Sequence, residues 1–205
     1  MLKILCEPVG ALDVNCYVVG DEASRRGCVI DPGGDADIIF GMVERAGIVP
    51  AQILLTHAHF DHIGAVAAVA RKYNVTVWMH PLDRGIYLSP DNCMKPWFPA
   101  VDGLPPPDDA EMPPIVAQLG GKVIHTPGHT PGGVCYFFPQ DNVLFSGDTL
   151  FRHSVGRTDF PGGNAKTLYN SIQDRLFSLP PQTRVLPGHE AETTIEEEIR
   201  DNPFV

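Results

Sequence analysis

Short apolar runs divided by turn-forming segments open the chain, a pattern typical of antiparallel strands. Three such runs predict a β-meander: residues 2–5, 16–19 and 28–30. Apolar side chains then repeat at helical spacing over 38–46, and Gly47 ends this predicted helix. A buried strand at 53–55 follows, so the first part of the chain changes from a meander to an α/β pattern.

The remainder of the chain repeats this order. After a predicted helix at 65–73 and a predicted strand at 75–79, four further β-type runs occur: residues 115–119, 123–125, 134–138 and 143–145. A helix over 165–179, a strand over 184–186 and an acidic helix over 194–200 complete the pattern. A meander followed by α/β units thus occurs twice. This indicates an α/β fold with pseudo-duplicated halves, in which two sheets pack between flanking helices.

The segment 81–114 interrupts the pattern. It contains nine prolines together with Tyr87, Trp97 and Phe98, so it cannot form a regular element. A segment of this length without regular structure inside one domain is usually functional or mobile. We predict a single domain over residues 1–205, with 81–114 forming either an ordered flap over the site or a surface excursion.

Composition narrows the class of function. The 205 residues are 43% hydrophobic and 20% charged, which is ordinary for a globular enzyme. The formal net charge of -10, without a cluster of Lys and Arg, argues against nucleic acid or an anionic membrane as a partner. No apolar run approaches the roughly 18 residues of a membrane helix. Five scattered cysteines without a CxxC pair and no signal peptide lead us to expect buried thiols and a cytoplasmic protein.

The segment 57–62 contains the densest candidate chemistry. Three histidines and an aspartate fall within six residues, directly after a predicted buried strand. Such a segment makes a poor helix and a poor strand, so we predict a loop. Imidazole and carboxylate groups presented by one loop suit zinc, iron or manganese.

Three later loops share one feature, a His or Asp beside glycine directly after a β-type run. They contain His129, Asp148 and His189. Strand ends in α/β folds meet at one edge, and the adjacent glycines allow close approach of the backbone. With 57–62 they supply five histidines and two aspartates, enough for two metal ions. The other histidines, His80, His125 and His153, are expected to be structural or exposed.

The pattern HxHxDH at 57–62, with GH at 128–129, GD at 147–148 and GH at 188–189, resembles the metallo-β-lactamase superfamily. The resemblance implies an αββα four-layer sandwich and two divalent metal ions, zinc first, with iron and manganese as alternatives. It assigns the first metal to His57, His59 and His129, and the second to Asp61, His62 and His189. Asp148 would bridge both ions, and Asp61 and Asp148 are expected to act in catalysis.

Within the superfamily, the segments 126–133, 146–151 and 156–162 resemble the glyoxalase II group. The closest similarity is to short bacterial members, which resemble hydroxyacylglutathione hydrolase without its C-terminal helical domain. Asp148 stands where the most studied zinc β-lactamases carry Cys, so antibiotic hydrolysis is not expected. The resemblance implies hydrolysis of a thioester such as S-lactoylglutathione by a hydroxide that bridges the two metals.

The substrate-binding part of the resemblance is incomplete. Glyoxalase II enzymes have a Lys and a Tyr after the strand of the bridging aspartate, where this chain has Arg157 and Asp159. We expect Arg157 either to bind a substrate carboxylate or to pair with Asp159 in a structural turn. The expected partner is a small-molecule thioester or another glutathione-derived substrate, and the expected assembly is a monomer or a homodimer.

A different reaction class is also compatible with parts of the sequence. Residues 156–160 and 165–169 resemble persulfide dioxygenases of the same superfamily, which oxidise glutathione persulfide. These use one iron held by the equivalents of His57, His129 and Asp148. The loop 187–189 instead resembles the hydrolases, because the dioxygenases tend to carry Ala at the position of Gly188. Hydrolysis of a lactone or a phosphodiester is a further alternative.

Overall fold

Two mixed β-sheets form the middle of the molecule in a computed structural model that describes residues 1–205. The first sheet contains five strands in chain order: β1 (Leu2–Val9), β2 (Val14–Asp21), β3 (Arg26–Ile30), β4 (Val49–Leu54) and β5 (Thr76–Trp78). β1, β2 and β3 pair antiparallel, which confirms the predicted meander. β3, β4 and β5 pair parallel, because helical connections return the chain to the same edge of the sheet.

The second sheet repeats this arrangement. Its strands and a small separate ribbon follow in the chain: β6 (Lys122–His125), β7 (Val134–Phe138), β8 (Val143–Gly147), β9 (Leu150–Phe151), β10 (Ser154–Val155), β11 (Arg184–Pro187) and β12 (Thr193–Thr194). The order across the sheet is β12-β11-β8-β7-β6, and β9 pairs with β10 alone. β6, β7 and β8 are antiparallel, and β11 adds parallel to β8.

Helices cover the outer faces of both sheets. The helices are α1 (Ala36–Ala46), α2 (Phe60–Ile63), α3 (Val66–Tyr73), α4 (Arg84–Tyr87), α5 (Pro114–Gln118), α6 (Ala165–Ser171) and α7 (Ile195–Asp201). A 3-10 turn, Pro81–Asp83, precedes α4, and a π-helical turn, Ile172–Leu176, extends α6. None of these helices combines the length and the apolar character needed to cross a membrane.

Successive side chains of a strand point to opposite faces of the sheet, so apolar strands contribute to layers on both faces. Strand β2 contributes to two of the three apolar layers in this way. Cys16 and Val18 belong to the layer between the first sheet and helices α1 and α3. Tyr17 and Val19 belong to the layer between the two sheets, where they join residues such as Phe145. A third layer joins the second sheet to α6 and α7. The predicted αββα sandwich is therefore confirmed.

Two predicted elements differ in the structure. Residues 115–119, predicted as a strand, lie largely in helix α5, because Pro114 at the first helical turn pre-sets the backbone for a helix. The apolar run was too short for its periodicity to separate the two states. Part of the predicted metal loop is also helical, since Phe60–Ile63 forms the single turn α2.

Most of the proline-rich segment 81–114 is irregular, as predicted, but its start is not, because Pro81–Asp83 and Arg84–Tyr87 form a 3-10 turn and helix α4. The segment lies along β5, where Asp108 N–H donates to Val77 O and Trp78 Nε1–H donates to Ala110 O. Tyr87 is buried and its hydroxyl donates to Pro105 O. These contacts cover the exposed edge of the first sheet. A role for this segment as a flap stays a prediction.

Candidate metal centre

The four predicted ligand loops leave the same edge of the two sheets. They follow strands β4, β6, β8 and β11. The structure brings all seven predicted ligands together, in groups whose ligand atoms lie within 4.8 Å of one another: His57, His59, Asp61, His62, His129, Asp148 and His189. Convergence at the strand ends follows from the fold, because parallel strands present their carboxyl ends at one edge.

Six of the seven side chains form two groups of three. In the first, His129 Nε2 lies 2.9 Å from His59 Nδ1 and 3.1 Å from His57 Nε2. In the second, Asp61 Oδ2 lies 3.5 Å from His189 Nε2 and 4.0 Å from His62 Nε2. These are the two groups that the sequence resemblance implied, although the ligand roles themselves stay predictions.

Asp148 lies between the two groups. Its Oδ2 is 3.6 Å from His129 Nε2 and 3.8 Å from His189 Nε2, while its Oδ1 is 3.3 Å from His62 Nε2. One carboxylate therefore reaches ligand atoms of both groups, which is the placement that a bridging ligand requires.

The outer ring nitrogens of four histidines face acceptors. His57 Nδ1 lies 3.2 Å from Thr56 Oγ1, and His129 Nδ1 lies 2.7 Å from Arg157 O. His189 Nδ1 lies 3.1 Å from Leu12 O. His62 Nδ1 lies 3.0 Å from Asp31 Oδ2, a contact of charged groups that is not aligned as a hydrogen bond. A proton on each outer nitrogen leaves the inner nitrogen free to bind a metal, which is how outer partners orient metal-binding histidines.

The pKa values of the clustered side chains differ between the two ligand groups. Burial, and then the neighbouring His62, hold the pKa of His57 well below its ordinary value. Burial and the adjacent His129 lower the pKa of His59 to about 3. Burial alone would raise the pKa of Asp148, but the imidazoles of His62 and His129 outweigh it and hold that pKa below its usual range.

In the second group, burial would lower the pKa of His62, but Asp148 and Asp31 outweigh it and raise that pKa well above its ordinary value; Asp61 likewise outweighs burial and raises the pKa of His189. A metal ion at the second group would therefore displace protons, because imidazole binds metals in its neutral form.

The cluster fits divalent metal ions. His62 Nε2 and Asp148 Oδ1 are buried without a hydrogen-bond partner, a costly arrangement unless a cation accepts their lone pairs. The three ring nitrogens of the first group also face one another, and neutral imidazole lone pairs repel at such distances unless a cation or a proton lies between them. The cluster is thus a site for divalent metal, and its N/O donors accept zinc, iron or manganese.

Glycine packing leaves no room for movement beside Asp148. A Cβ atom on Gly188 would lie 2.3 Å from Asp148 Oδ1, and a Cβ atom on Gly156 would lie 1.8 Å from Asp148 O. Real Cβ atoms do not approach other atoms this closely. Any side chain at either position would therefore displace the carboxylate or its backbone.

Sequence reasoning missed two buried carboxylates that support the ligands. Asp31 accepts hydrogen bonds from the Thr56 N–H and from Thr56 Oγ1, in addition to its contact with His62. It follows β3 at the same edge, but Pro32 separates it from the glycines, so the rule of a ligand beside glycine passed over it. Asp83, in the proline-rich segment, gave no signal either.

Asp83 ties three segments together. It is fully buried and accepts hydrogen bonds from Ala58 N–H, Thr130 Oγ1 and Gly132 N–H. Burial raises its pKa, and these donors offset only part of that shift. The first ligand loop and the loop of His129 are thus fixed to the start of segment 81–114.

Arg157 lies at the edge of the site but is already paired. Its Nε and Nη2 each donate to Asp159 at 2.7 Å, and its guanidinium lies 3.9 Å from the centroid of the Phe160 ring. The predicted structural pairing with Asp159 is confirmed. Its carbonyl also accepts from His129, so the turn that contains Arg157 positions a predicted ligand.

The remaining histidines lie outside the cluster. His80 and His125 stack on each other with centroids 4.1 Å apart. His153 Nε2 lies 3.0 Å from Glu197 Oε1, beside the buried Glu198. Glu198 already accepts from Thr193, from Asn202 and from the backbone of His153. These contacts form a structural polar network.

A cavity of about 680 Å³ opens over the cluster; we call it the central cavity. Asp61, His129, Asp148 and His189 line its floor, and Arg157 lies at its edge. Its volume falls within the roughly 300–1,000 Å³ typical of small-molecule sites. A substrate can therefore reach the predicted metal ligands directly.

Comparison with known proteins gives a consistent result. A family profile described as the metallo-beta-lactamase superfamily matches residues 9–189. A hydroxyacylglutathione hydrolase, GloC of Haemophilus influenzae, is 34% identical over 97% of this chain and 95% of its own length. The probable metallo-hydrolase YqgX of Bacillus subtilis is 36% identical, with the same two coverages. A protein of Aquifex aeolicus without an assigned function is 41% identical over 100% of this chain and 96% of its own.

Three solved structures are also similar. TTHA1623 in a di-iron-bound form has a TM-score of 0.85 and 40% identity, covering 98% of this chain and 100% of its own. BLEG-1 B3 metallo-beta-lactamase has a TM-score of 0.79 and 36% identity, and the match covers 100% of this chain and 99% of its own. ETHE1 from Myxococcus xanthus has a TM-score of 0.73 and 32% identity, and the match covers 99% of this chain and 83% of its own.

Proposed function

The chain belongs to the metallo-beta-lactamase superfamily, and from this premise we propose that it is a two-metal hydrolase that cleaves thioesters such as S-lactoylglutathione. Two of the relatives are hydrolases by name, and this similarity supports the proposal that the chain is an enzyme. The similarity to a hydroxyacylglutathione hydrolase over 97% of the chain supports the choice of substrate class.

Two groups of residues would hold the metals. His57, His59 and His129 would hold one ion, and the remaining four ligands are Asp61, His62, His189 and the shared Asp148. When bound, two divalent ions supply Lewis acidity, which lowers the pKa of water and polarises an acyl carbonyl. The di-iron-bound form of the similar TTHA1623 supports occupancy by two ions.

The residues of this chain would contribute orientation and fixed charge. The acceptors behind His57, His62, His129 and His189 keep protons on the outer nitrogens, so the inner nitrogens stay available. Asp61 and His189 are partly exposed to the central cavity, so the thioester would approach from this side. A thiolate is a good leaving group, and the proposal therefore needs no dedicated general acid.

The observation that carries the two-metal proposal is the space at Gly188. Its missing side chain leaves Asp148 free to lie between the two ligand groups, since a Cβ there would stand 2.3 Å from Asp148 Oδ1. The persulfide dioxygenases, which use a single iron, tend to carry Ala at this position. Gly188 therefore favours the hydrolase.

The persulfide dioxygenase remains the second candidate because residues 156–160 and 165–169 resemble that group. In that case the working site would be one iron held by His57, His129 and Asp148. The two candidates differ in metal content and in the need for oxygen.

Metal content and three assays on the purified protein test the proposal. We expect close to two divalent ions per chain, release of thiol from S-lactoylglutathione, and no oxygen uptake with glutathione persulfide. A chromogenic β-lactam is the third substrate, because BLEG-1 is also similar. One iron per chain with oxygen uptake and no thioester cleavage would establish the dioxygenase instead. Cleavage of the β-lactam alone would also overturn the proposal.

A further inference from the structure

A second cavity of about 410 Å³ adjoins the metal cluster at His59; we call it the side cavity. Phe60, Ile86 and Phe160 form its apolar walls, and Gly85 of helix α4 lies between them. His59, Phe60 and Phe160 also line the central cavity, so the two cavities meet at the predicted first metal group. A group that extends from a carbonyl at the cluster can enter either cavity.

The wall of the side cavity is fixed relative to the ligand loop. Asn92 is buried, and its Nδ2 donates to Ala58 O at 2.7 Å, between the ligands His57 and His59. Asp83, directly before α4, accepts from the N–H of the same Ala58. The segment that contains Gly85 is therefore held at both ends against the metal cluster.

The charge of the side cavity selects against an anionic group. Its only formally charged lining residue is Asp91, and no Lys or Arg lines it. Arg157 contacts the ring of Phe160, but its guanidinium donates twice to Asp159. A substrate carboxylate would thus meet apolar walls, the uncharged Ser89 and Asn92, and the negative charge of Asp91, with no cation to pair with it. Burial of an unpaired charge is costly.

Gly85 leaves the space for a substrate group. A Cβ atom on Gly85 would meet nothing within 4 Å, in contrast to the crowded glycines beside Asp148. Its backbone is helical, so a larger residue costs no strain there. Gly85 is exposed and lines the side cavity, so a longer side chain at this position would add bulk beside the open volume.

We propose that the side cavity binds an uncharged, apolar group attached to the scissile carbonyl, and that the carboxylates of a glutathione-like group remain outside it. This inference rests on the proposed thioesterase function. The bound group is either the acyl chain or the thiol part of the thioester, and in both cases it is uncharged and apolar. Gly85 is then the residue that sets how large this group can be.

The test compares three uncharged thioesters on the metal-loaded protein and on Gly85→Leu. S-methyl thioacetate is the reference, S-methyl thiobenzoate carries an apolar acyl group, and S-phenyl thioacetate carries an apolar thiol. We expect Gly85→Leu to lower kcat/KM about tenfold or more for at least one of the two aromatic substrates, relative to the reference. The reason is that one methylene in an apolar pocket changes kcat/KM by roughly 10- to 200-fold. The substrate that loses activity identifies the bound side.

Gly41→Leu is the matched control. Gly41 lies in helix α1, and the nearest atom to its Cβ would be Arg45 Nη1 at 3.7 Å, an ordinary contact. We expect the same kcat/KM ratios as for the natural chain. Equal losses on all three substrates in Gly85→Leu, or no loss on any, would overturn the proposal.

A binding measurement separates this inference from the proposed function. Benzyl alcohol serves as an uncharged aromatic probe, observed by NMR on the natural chain and on both glycine variants. Binding that Gly85→Leu abolishes and Gly41→Leu retains supports the side cavity even if no thioester is cleaved. Thioester cleavage without such binding and without a selective loss refutes the side cavity and leaves the hydrolase intact.

Discussion

Gly188 and Gly85 show how differently two regions of the site are built. Gly188 lies against the metal-ligand cluster, where a Cβ would stand 2.3 Å from Asp148 Oδ1, while a Cβ on Gly85 would meet nothing within 4 Å. The cluster is held by strand ends and buried carboxylates. The wall of the side cavity is held by a short helix and an irregular segment.

This difference separates reaction from substrate choice. Around Asp148, atoms are packed so closely that one added methyl group must move a ligand. At Gly85 an added Cβ meets no atom within 4 Å, so we expect the size of the cavity to vary there while the cluster stays intact. Variants of the two regions should therefore fail in different ways.

The largest effect is expected from Asp148→Ala, which removes the side chain shared by both ligand groups. We expect loss of both metals and a fall in kcat beyond the roughly 10²–10³-fold cost of losing one transition-state hydrogen bond. Metal analysis and thioester assays measure the two losses together. Asp109→Ala, at an exposed ion pair, is the control and should retain both. Two retained metals in Asp148→Ala would contradict the bridging role.

Gly188→Ala should produce a smaller and more selective loss. The added Cβ would push Asp148 Oδ1 away from His62, so we expect about one metal per chain to remain with much reduced hydrolysis. Titration of the metal-free protein with zinc by calorimetry would show one tight site and one weak or absent site. Gly41→Ala should bind as the natural chain does. Two unchanged sites in Gly188→Ala would show that the close contact does not control occupancy.

Asp83→Asn tests the link between the two regions. An amide keeps one acceptor but turns an NH₂ towards donors from Ala58, Thr130 and Gly132, so we expect a loss of about 2 kcal/mol in the free energy of unfolding. Denaturant unfolding measures this loss. Asp109→Asn should change the free energy little, because its ion pair is exposed. An unchanged midpoint in Asp83→Asn would mean that these hydrogen bonds do not hold the segment.

The smallest effect is expected from Asp159→Asn, which releases Arg157 at the edge of the central cavity. The ion pair is exposed, so its loss should change the stability little. We expect KM for S-lactoylglutathione to fall a few-fold, because a freed guanidinium can bind a carboxylate. Uncharged thioesters should show no gain. A gain that persists in the double variant with Arg157→Met would show that Arg157 is not its cause.

Much of the fold followed from local patterns. The meander, the helix of residues 36–46 and the strands β6, β7 and β8 were predictable because their apolar residues repeat with a clear period. Helix α5 was not predictable, because the five residues Pro114–Gln118 are too few for their periodicity to distinguish a strand from a helix. The ribbon β9–β10 and the strand β12 are two-residue pairings that depend on neighbouring chain segments.

The sequence by itself predicted which seven side chains lie together, because each is a residue type that binds metals and lies in a loop that follows an apolar run. It also placed Arg157 next to its partner Asp159, two positions away. The family resemblance also implied the position of Asp148 between the two groups. Tertiary structure alone decided that Asp31 and Asp83 support the ligand loops and that Gly85 lines a second cavity. These facts depend on distances between segments far apart in the chain, which no local spacing encodes.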